Sequence, residues 1–408
     1  MGILFTILVK IIEFRKDRMP VLPQFFKLLN EQSLEQTVKY FLCFSIEFAK
    51  NDVKGHSLFY LCRMSLLSVH DFISNVNDNN HLLIDARSEG EFEHAHFPGA
   101  INIPLLNNEH RILVGTCFKK EGRDAAVRLG FELVGPLFSS FVKKVDELGK
   151  GKEILVYCWR GGMRSGIMSW VLNMAGYRTH TLKGGYKAFR RFVLDQFIVE
   201  RKFRVVGGHT GSGKTDLLML MKEAGHQVID LEGLANHRGS AFGSLGMKPQ
   251  PRNEYFENEL ALQLYHMKGD EVIWLEAESR SIGRIKLPDE FYFQFIAAPL
   301  FEVNLSREER VERIKKDYSH FTNEELSECM KKLSKRLGGL GLKEALKALE
   351  ENRTGDWISI LLDYYDKTYS HSLESRTTNT RFEIEMKDKN DFESVMNKVL
   401  SLSKNITQ

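Results

Sequence analysis

The sequence has no disulfide framework, no uninterrupted membrane-length apolar run and no strong charge of either sign. Its five cysteines, Cys43, Cys62, Cys117, Cys158 and Cys329, stand at irregular spacing without a C-x-x-C pair. A cysteine-stapled scaffold is therefore excluded, a reducing, cytoplasmic setting is expected, and each thiol has to be judged singly. The apolar start, Met1 to Val9, is interrupted by Lys10. It falls short of the roughly 20 residues that a span requires, and no positive charge precedes it as in a secretory signal. No membrane partner is expected. Net charge is only +3 over 408 residues, yet residues 151–214 hold twelve Lys or Arg against three acids, which leaves −6 for the remainder. That local excess fits a polyanion bound at one place on the surface.

What is present begins with an ordinary globular composition, 43% hydrophobic and 27% charged, on a chain long enough for two or three domains. Residues 1–63 contain apolar clusters but no domain's worth of alternating elements. They are expected to be a poorly ordered extension, or to derive from an upstream start codon that is not normally used. From about Met64 the pattern is convincing.

The stretch that organises the chain is Gly208-His209-Thr210-Gly211-Ser212-Gly213-Lys214-Thr215, the G-x-x-x-x-G-K-[ST] pattern. The apolar run Phe203 to Val206 before it reads as a buried strand, and Asp216 to Lys222 after it as a helix. Glycines at 208, 211 and 213 let backbone N–H groups of the loop, including that of Ser212, turn inward around a phosphate. Lys214 and the helix N-terminus add positive charge. Thr215 would hold magnesium if the ligand is a nucleotide.

Upstream, His81 to Asp85 and Glu153 to Tyr157 read as buried strands, and Tyr177 to Leu182 as a third, ending at Gly184-Gly185. Helical segments alternate with them, so a parallel α/β sheet is expected, with its site beyond the carboxyl ends of the strands. Cys158 falls there, in Cys158-Trp159-Arg160-Gly161-Gly162-Met163-Arg164-Ser165. Backbone amides, a helix start near Gly166 and the charges of Arg160 and Arg164 favour a thiolate and make an anion cradle around it. Cys117 has no strand feeding it and reads as structural.

Downstream, His226 to Asp230 reads as a strand ending in Asp230 and Glu232. A polar loop with His237 and Arg238 follows it, and Glu271 to Leu275 is a strand ending in Glu276, Glu278 and Arg280. Either Glu276 or Glu278 stands where a metal-directed acid is expected, and the metal itself stays undetermined. Phe293 to Ala297 and Leu300 to Leu305 read as strands. Glu308 to Tyr318, Asn323 to Leu337, Leu342 to Glu351 and Trp357 to Thr368 read as helices, with a break at Gly338-Gly339-Leu340-Gly341. Phe382 to Leu402 reads as a last strand and helix.

Asp85-Ala86-Arg87, the segment His96 to Pro104, the cysteine loop and Gly184-Gly185 resemble the rhodanese, or sulfurtransferase, domain, whose cysteine carries a persulfide. Five residues separate Cys158 from Arg164, one more than in most sulfurtransferases, as in the phosphatase-like relatives. The pocket should therefore admit a phosphate-sized group.

With the phosphate loop, Asp230 to Gly243 and Glu276 to Gly283 following in order, the chain from Met64 onward resembles the tRNA 2-selenouridine synthase family. The resemblance implies an α/β architecture: a rhodanese-like parallel-sheet domain over 64–199, then a P-loop NTPase-like domain with a helical C-terminal part over 200–408. It implies a transferase acting on the wobble 2-thiouridine of tRNAs for Lys, Glu and Gln. The 2-thio group is geranylated from geranyl diphosphate, and selenium from selenophosphate then replaces S-geranyl. These are co-substrates with no tightly bound cofactor, magnesium is left open, and a selenophosphate-producing enzyme is a candidate partner. On this reading Cys158 carries a selenopersulfide, Arg160 and Arg164 steady selenophosphate, and the phosphate loop holds the diphosphate. Lys183, Lys187, Arg190, Arg191, Lys202 and Arg204 would hold the anticodon arm. Two other readings are a phosphatase fused to a kinase-like, ATP-binding domain, and a non-catalytic sulfur carrier docking on an ATPase.

Overall fold

Strand and helix alternate from Met64 onward in a computed structural model that describes residues 64–76, 80–374, 376–388 and 390–406. The expectation for residues 1–63 lies outside the described residues. The first domain runs β1 (Met64–Leu67), α1 (Val69–Val76), β2 (His81–Asp85), α2 (Glu89–His94), β3 (Ile101–Asn102), α3 (Asn108–Glu121) and α4 (Arg123–Val134). A 3-10 turn leads to α5 (Phe138–Gly149), β4 (Glu153–Tyr157), α6 (Met163–Met174), β5 (Thr179–Leu182) and α7 (Gly185–Ile198). Its strands are all parallel, in the order β1-β5-β4-β2-β3. Both faces are covered: Leu155 and Tyr157 of β4 enter one core cluster, and Ile154 and Val156 enter another. This is why the strand reads as a continuous apolar run rather than an alternating one.

The second domain runs β6 (Phe203–Gly207), α8 (Lys214–Glu223), β7 (Gln227–Ile229), α9 (Leu231–Ala235), α10 (Asn253–His266), β8 (Ile273–Glu276), β9 (Ser281–Ile282) and β10 (Ile285–Lys286). It continues with α11 (Asp289–Ala297), β11 (Leu300–Asn304), α12 (Arg307–Tyr318), α13 (Asn323–Lys332), α14 (Ser334–Glu350), α15 (Thr354–Glu374), β12 (Arg381–Glu385) and α16 (Phe392–Lys404). The main sheet is parallel, ordered β12-β11-β6-β8-β7, so the strand feeding the phosphate loop lies directly beside the one ending in Glu276.

The expected strand over Phe293 to Ala297 is corrected to the end of helix α11. Phe291 and Phe295, four residues apart, are buried while Phe293 is 61% exposed, which is helical and not alternating spacing. The glycine-rich break also differs in detail. The chain turns first at Leu333, and Gly338 (φ 72°) is a kink inside α14. By length and composition alone, Arg123–Gly149 could cross a membrane. Its Val134, Phe141 and Val145 are instead core residues of the first domain.

The two domains share one core. Phe72 and Phe97 of the first domain join Phe189, Phe192 and Phe197 of α7, which in turn join Phe256 and Leu260 of α10 and Phe291 of α11. Polar bonds lock the same seam. Arg190 reaches Glu257 at 2.5 Å and Asn258 at 2.6 Å, Asn258 donates to the His96 carbonyl at 2.8 Å, and the Tyr186 hydroxyl donates to Glu254 at 2.8 Å.

Candidate active site

Cys158 sits just beyond the carboxyl end of β4 and is 3% exposed, with Sγ 3.3 Å from the Ser165 hydroxyl. The following loop turns directly into α6, which starts at Met163 and so brings a helix N-terminus close to the cysteine in sequence. Gly161 and Gly185 allow the loop to press against the Gly184-Gly185 turn. A Cβ on Gly185 would lie 2.2 Å from the Cys158 carbonyl and 2.3 Å from the Gly161 nitrogen. Tyr186 N–H then donates to the Cys158 carbonyl at 2.8 Å, and Lys187 N–H to that of Trp159 at 3.0 Å. Below the loop, Asp85 accepts from Arg87 at 2.6 Å and from the Tyr157 hydroxyl at 2.7 Å, all three side chains being buried. Burial alone would lower the Arg87 pKa, but the hydrogen bonds and charge of Asp85 raise it.

Arg164 is held by Glu91 at 2.7 Å, and Arg160 is exposed. Burial would raise the Glu91 pKa, but Arg164 outweighs it and holds the carboxyl below its ordinary value. Glu91 orients one wall of the cradle from 73 residues upstream, a pairing the spacing of the cysteine loop does not reveal. Trp159, next to Cys158 in the chain and 40% exposed, likewise carries no signal in the sequence pattern. Its indole packs at a tilt on Tyr186, 5.8 Å between centroids. For Cys117, burial and then Glu121 push the thiol up, against a reactive thiolate there.

The phosphate loop closes β6 onto α8 with Gly208, Gly211 and Gly213 at φ 141°, 82° and 84°. Side chains there would strike the Val303 carbonyl (2.4 Å), Ile314 (2.9 Å) and Phe392 (2.9 Å), respectively. The helical region braces the loop. Arg310 of α12, gripped by Asp366 at 2.8 Å, donates to the Thr210 carbonyl at 3.3 Å, and the Tyr369 hydroxyl accepts from Gly208 N–H at 2.7 Å. Neither brace carries a sequence signal, because both come from far along the chain. The Ser212 hydroxyl is buried without a hydrogen-bond partner, inside the loop.

Lys214 lies 3.6 Å from Glu276, and the Thr215 hydroxyl donates to the other oxygen of that carboxylate at 2.7 Å. Glu232, Glu276 and Glu278 bring carboxylate oxygens within 4.8 Å of one another. Burial and the charges of Glu276 and Glu278 raise the Glu232 pKa, and burial and Glu276 raise that of Glu278. Three acids converging at one point, with the pKa values of Glu232 and Glu278 raised, make an all-oxygen candidate site for a hard divalent cation. The loop 237–243 covers them: a Cβ on Gly239 would touch Glu278 at 2.9 Å.

The remaining expected residues are divided by the fold. Asp230 caps α9, its side chain accepting from Gly233 N–H at 2.8 Å. His237 packs edge-on between Gly243 and Gly283 near the acids, with its pKa lowered by burial and then Lys332. Arg238 is exposed, and Arg280 turns away to pair with Asp289. In the basic segment Lys183, Lys187 and Arg191 are exposed and Lys202 is half-buried. Two assignments are corrected. Arg190 is spent on Glu257 and Asn258 in the domain seam, and Arg204 is 6% exposed within β6, donating to its neighbour's carbonyl.

The two loops are linked along one edge. Glu91 and His94 share helix α2, His94 meets Arg252 at 3.4 Å, and Gln250 donates to the Ala235 carbonyl at 3.1 Å beside the covering loop.

Two family models match the chain. Residues 201–399 match the family described as the tRNA 2-selenouridine synthase AAA domain, and residues 68–192 match the Rhodanese-like domain. The chain is 39% identical over 333 residues to the tRNA 2-selenouridine synthase of Hydrogenovibrio crunogenus, spanning 72% of this chain and 90% of that protein. It is 38% identical to that of Sulfurovum sp. (74% and 92%) and 37% identical to that of Aeromonas salmonicida (72% and 88%).

Proposed function

Since the chain belongs to the tRNA 2-selenouridine synthase family, we propose that it converts wobble 2-thiouridine in tRNAs for Lys, Glu and Gln to 2-selenouridine in two steps. In the first, the 2-thio sulfur attacks C1 of geranyl diphosphate, the C–O bond breaks and diphosphate leaves. In the second, selenium derived from selenophosphate forms a bond to C2 of the base, and the alkylated sulfur leaves as geranylthiolate. Alkylation turns a thiocarbonyl sulfur into a good leaving group, so the order follows from the chemistry.

The observation that carries the geranyl half is an apolar groove opening beside the phosphate loop. Thr210, Phe242, Ile314, Tyr318, Trp357 and Leu361 wall a small cleft of about 40 Å³. The apolar walls suit an isoprenoid chain in chemistry, and the cleft would widen to take it, while Lys214 and the loop amides stabilise the departing diphosphate. A magnesium ion, held by Glu276 and Thr215 with Glu232 or Glu278, would neutralise diphosphate charge when bound. In the first domain, Arg160 and Arg164 would steady selenophosphate against Cys158, and the exposed face of Trp159 would stack an extruded uridine. Purified protein with 2-thiouridine tRNA and geranyl diphosphate should give S-geranyl nucleoside, and added selenophosphate should convert it to selenouridine. ATP hydrolysis coupled to selenation without any geranylated nucleoside would overturn the proposal.

Two smaller effects are expected. Reversing Lys187 and Arg191 to Glu should weaken tRNA binding and make the plot of log affinity against log salt shallower by roughly 1–2. An unchanged slope would remove that face from the interface. The raised carboxyls set a pH dependence in EDTA. Stability they contribute is fully present below the ordinary carboxylate value of 4.5 and is lost as pH rises through their raised values. The thermal midpoint of the apo protein should therefore fall from weakly acid to alkaline pH. Magnesium should restore it most at the alkaline end, and Glu232→Gln should flatten the curve; a flat curve for the unsubstituted protein would contradict the clustering.

A further inference from the structure

At the amino end of the first sheet, away from Cys158, three side chains from three strands converge. His81 opens β2, Glu153 opens β4 directly opposite it in register, and His180 lies on the adjoining β5. We infer that His81, Glu153 and His180 form a binding site for one divalent transition-metal ion of the zinc class. One donor atom from each residue lies within 4.8 Å of the others. His180 Nε2 is 2.7 Å from Glu153 Oε2, and His81 Nε2 is 3.8 Å from the same oxygen. Both imidazoles thus direct Nε2 at one carboxylate oxygen.

The surroundings fix the donors. Ser65 of β1, paired in register with His180, places its hydroxyl 2.5 Å from Nδ1 and leaves Nε2 for the carboxylate side. Such a bond to the far ring nitrogen orients metal-binding histidines generally. Arg178 holds the other Glu153 oxygen at 2.7 Å, so Oε2 is the one presented. The side chains of His81 and His180 are only 8% and 16% exposed, and Glu153 is 34% exposed, which leaves an approach from solvent. Tetrahedral zinc with bonds of about 2.0–2.2 Å needs donors roughly 3.3 Å apart. The present separations bracket that value, so side-chain rotation suffices and the strand ladder stays in place. Two nitrogens and one oxygen suit zinc, cobalt or nickel better than magnesium, and water would complete the shell. A bound ion would tie β2, β4 and β5 together.

The test uses the full chain stripped with EDTA, then titrated with Co²⁺ in excess Mg²⁺ so that the acid cluster near Lys214 is occupied. One equivalent should bind with visible absorption of a four- or five-coordinate N,O site. The same equivalent of Zn²⁺ should displace it and raise the thermal midpoint. His81→Ala, His180→Ala and the near-isosteric Glu153→Gln should each weaken Co²⁺ at least tenfold, with circular dichroism reporting that each variant is folded. If His180→Ala fails to fold, His81→Ala and Glu153→Gln decide the matter. No binding to the unsubstituted chain, or binding that survives both of those substitutions, overturns the site.

Discussion

Cys158→Ser should stop selenation, by about 10³-fold or more, and leave S-geranylated tRNA to accumulate. The sulfur lies just beyond the carboxyl end of β4, in the loop that leads to Arg164, whose guanidinium Glu91 holds in place. A hydroxyl keeps the 3.3 Å approach to Ser165 but cannot carry selenium. The electron count offers an independent check. If the thiolate takes selenium as a selenopersulfide, the selenium–phosphorus bond breaks with its electron pair on phosphorus, and phosphite is released. Freeing the base from the resulting selenium–sulfur bond then consumes a second thiol. Direct attack by selenophosphate on C2 yields phosphate instead and needs no thiol. Normal selenouridine from the variant, or phosphate without thiol consumption from the unsubstituted enzyme, would remove Cys158 as the carrier.

The complementary result is expected of Lys214→Ala: geranylation slowed by about 10²–10³-fold, the typical cost of one lost oxyanion donor, with selenation of tRNA already geranylated left intact. Lys214 stands at the mouth of the loop, 3.6 Å from Glu276, and its loss leaves the glycine turns and the braces from Arg310 and Tyr369 in place. The defect should therefore appear in turnover of geranyl diphosphate rather than in the thermal midpoint. Assaying both variants on both half-reactions separates the two chemistries. If Lys214→Ala geranylates at the normal rate, the phosphate loop serves something other than this diphosphate.

Local chemistry was legible in the sequence and distant partnership was not. The phosphate loop, the cysteine loop and the acids at the end of β8 are contiguous patterns, each with its strand and helix alongside. Arg190 looked like any other member of a basic run because Glu257 and Asn258, which neutralise and bind it, lie 67 and 68 residues away. Arg164 looked free for the same reason. The aromatic run ending at Ala297 has strong strand propensity, yet Asp289 and Glu290 in its first turn favour a helix start, and the buried pair Phe291 and Phe295 needs a helical face. Tertiary burial overrode local preference there.

Helix α7 has a consequence for how a substrate is handled. Its phenylalanines are buried from both sides, and exposing Phe189, Phe192 and Phe197 would cost about 1.5–3 kcal/mol each. A hinge at this helix is thus energetically closed, and neither half can swing to hand an intermediate to the other. On the proposed two-step reaction, it would be the bound nucleotide that moves between the two loops, while the domains keep their places.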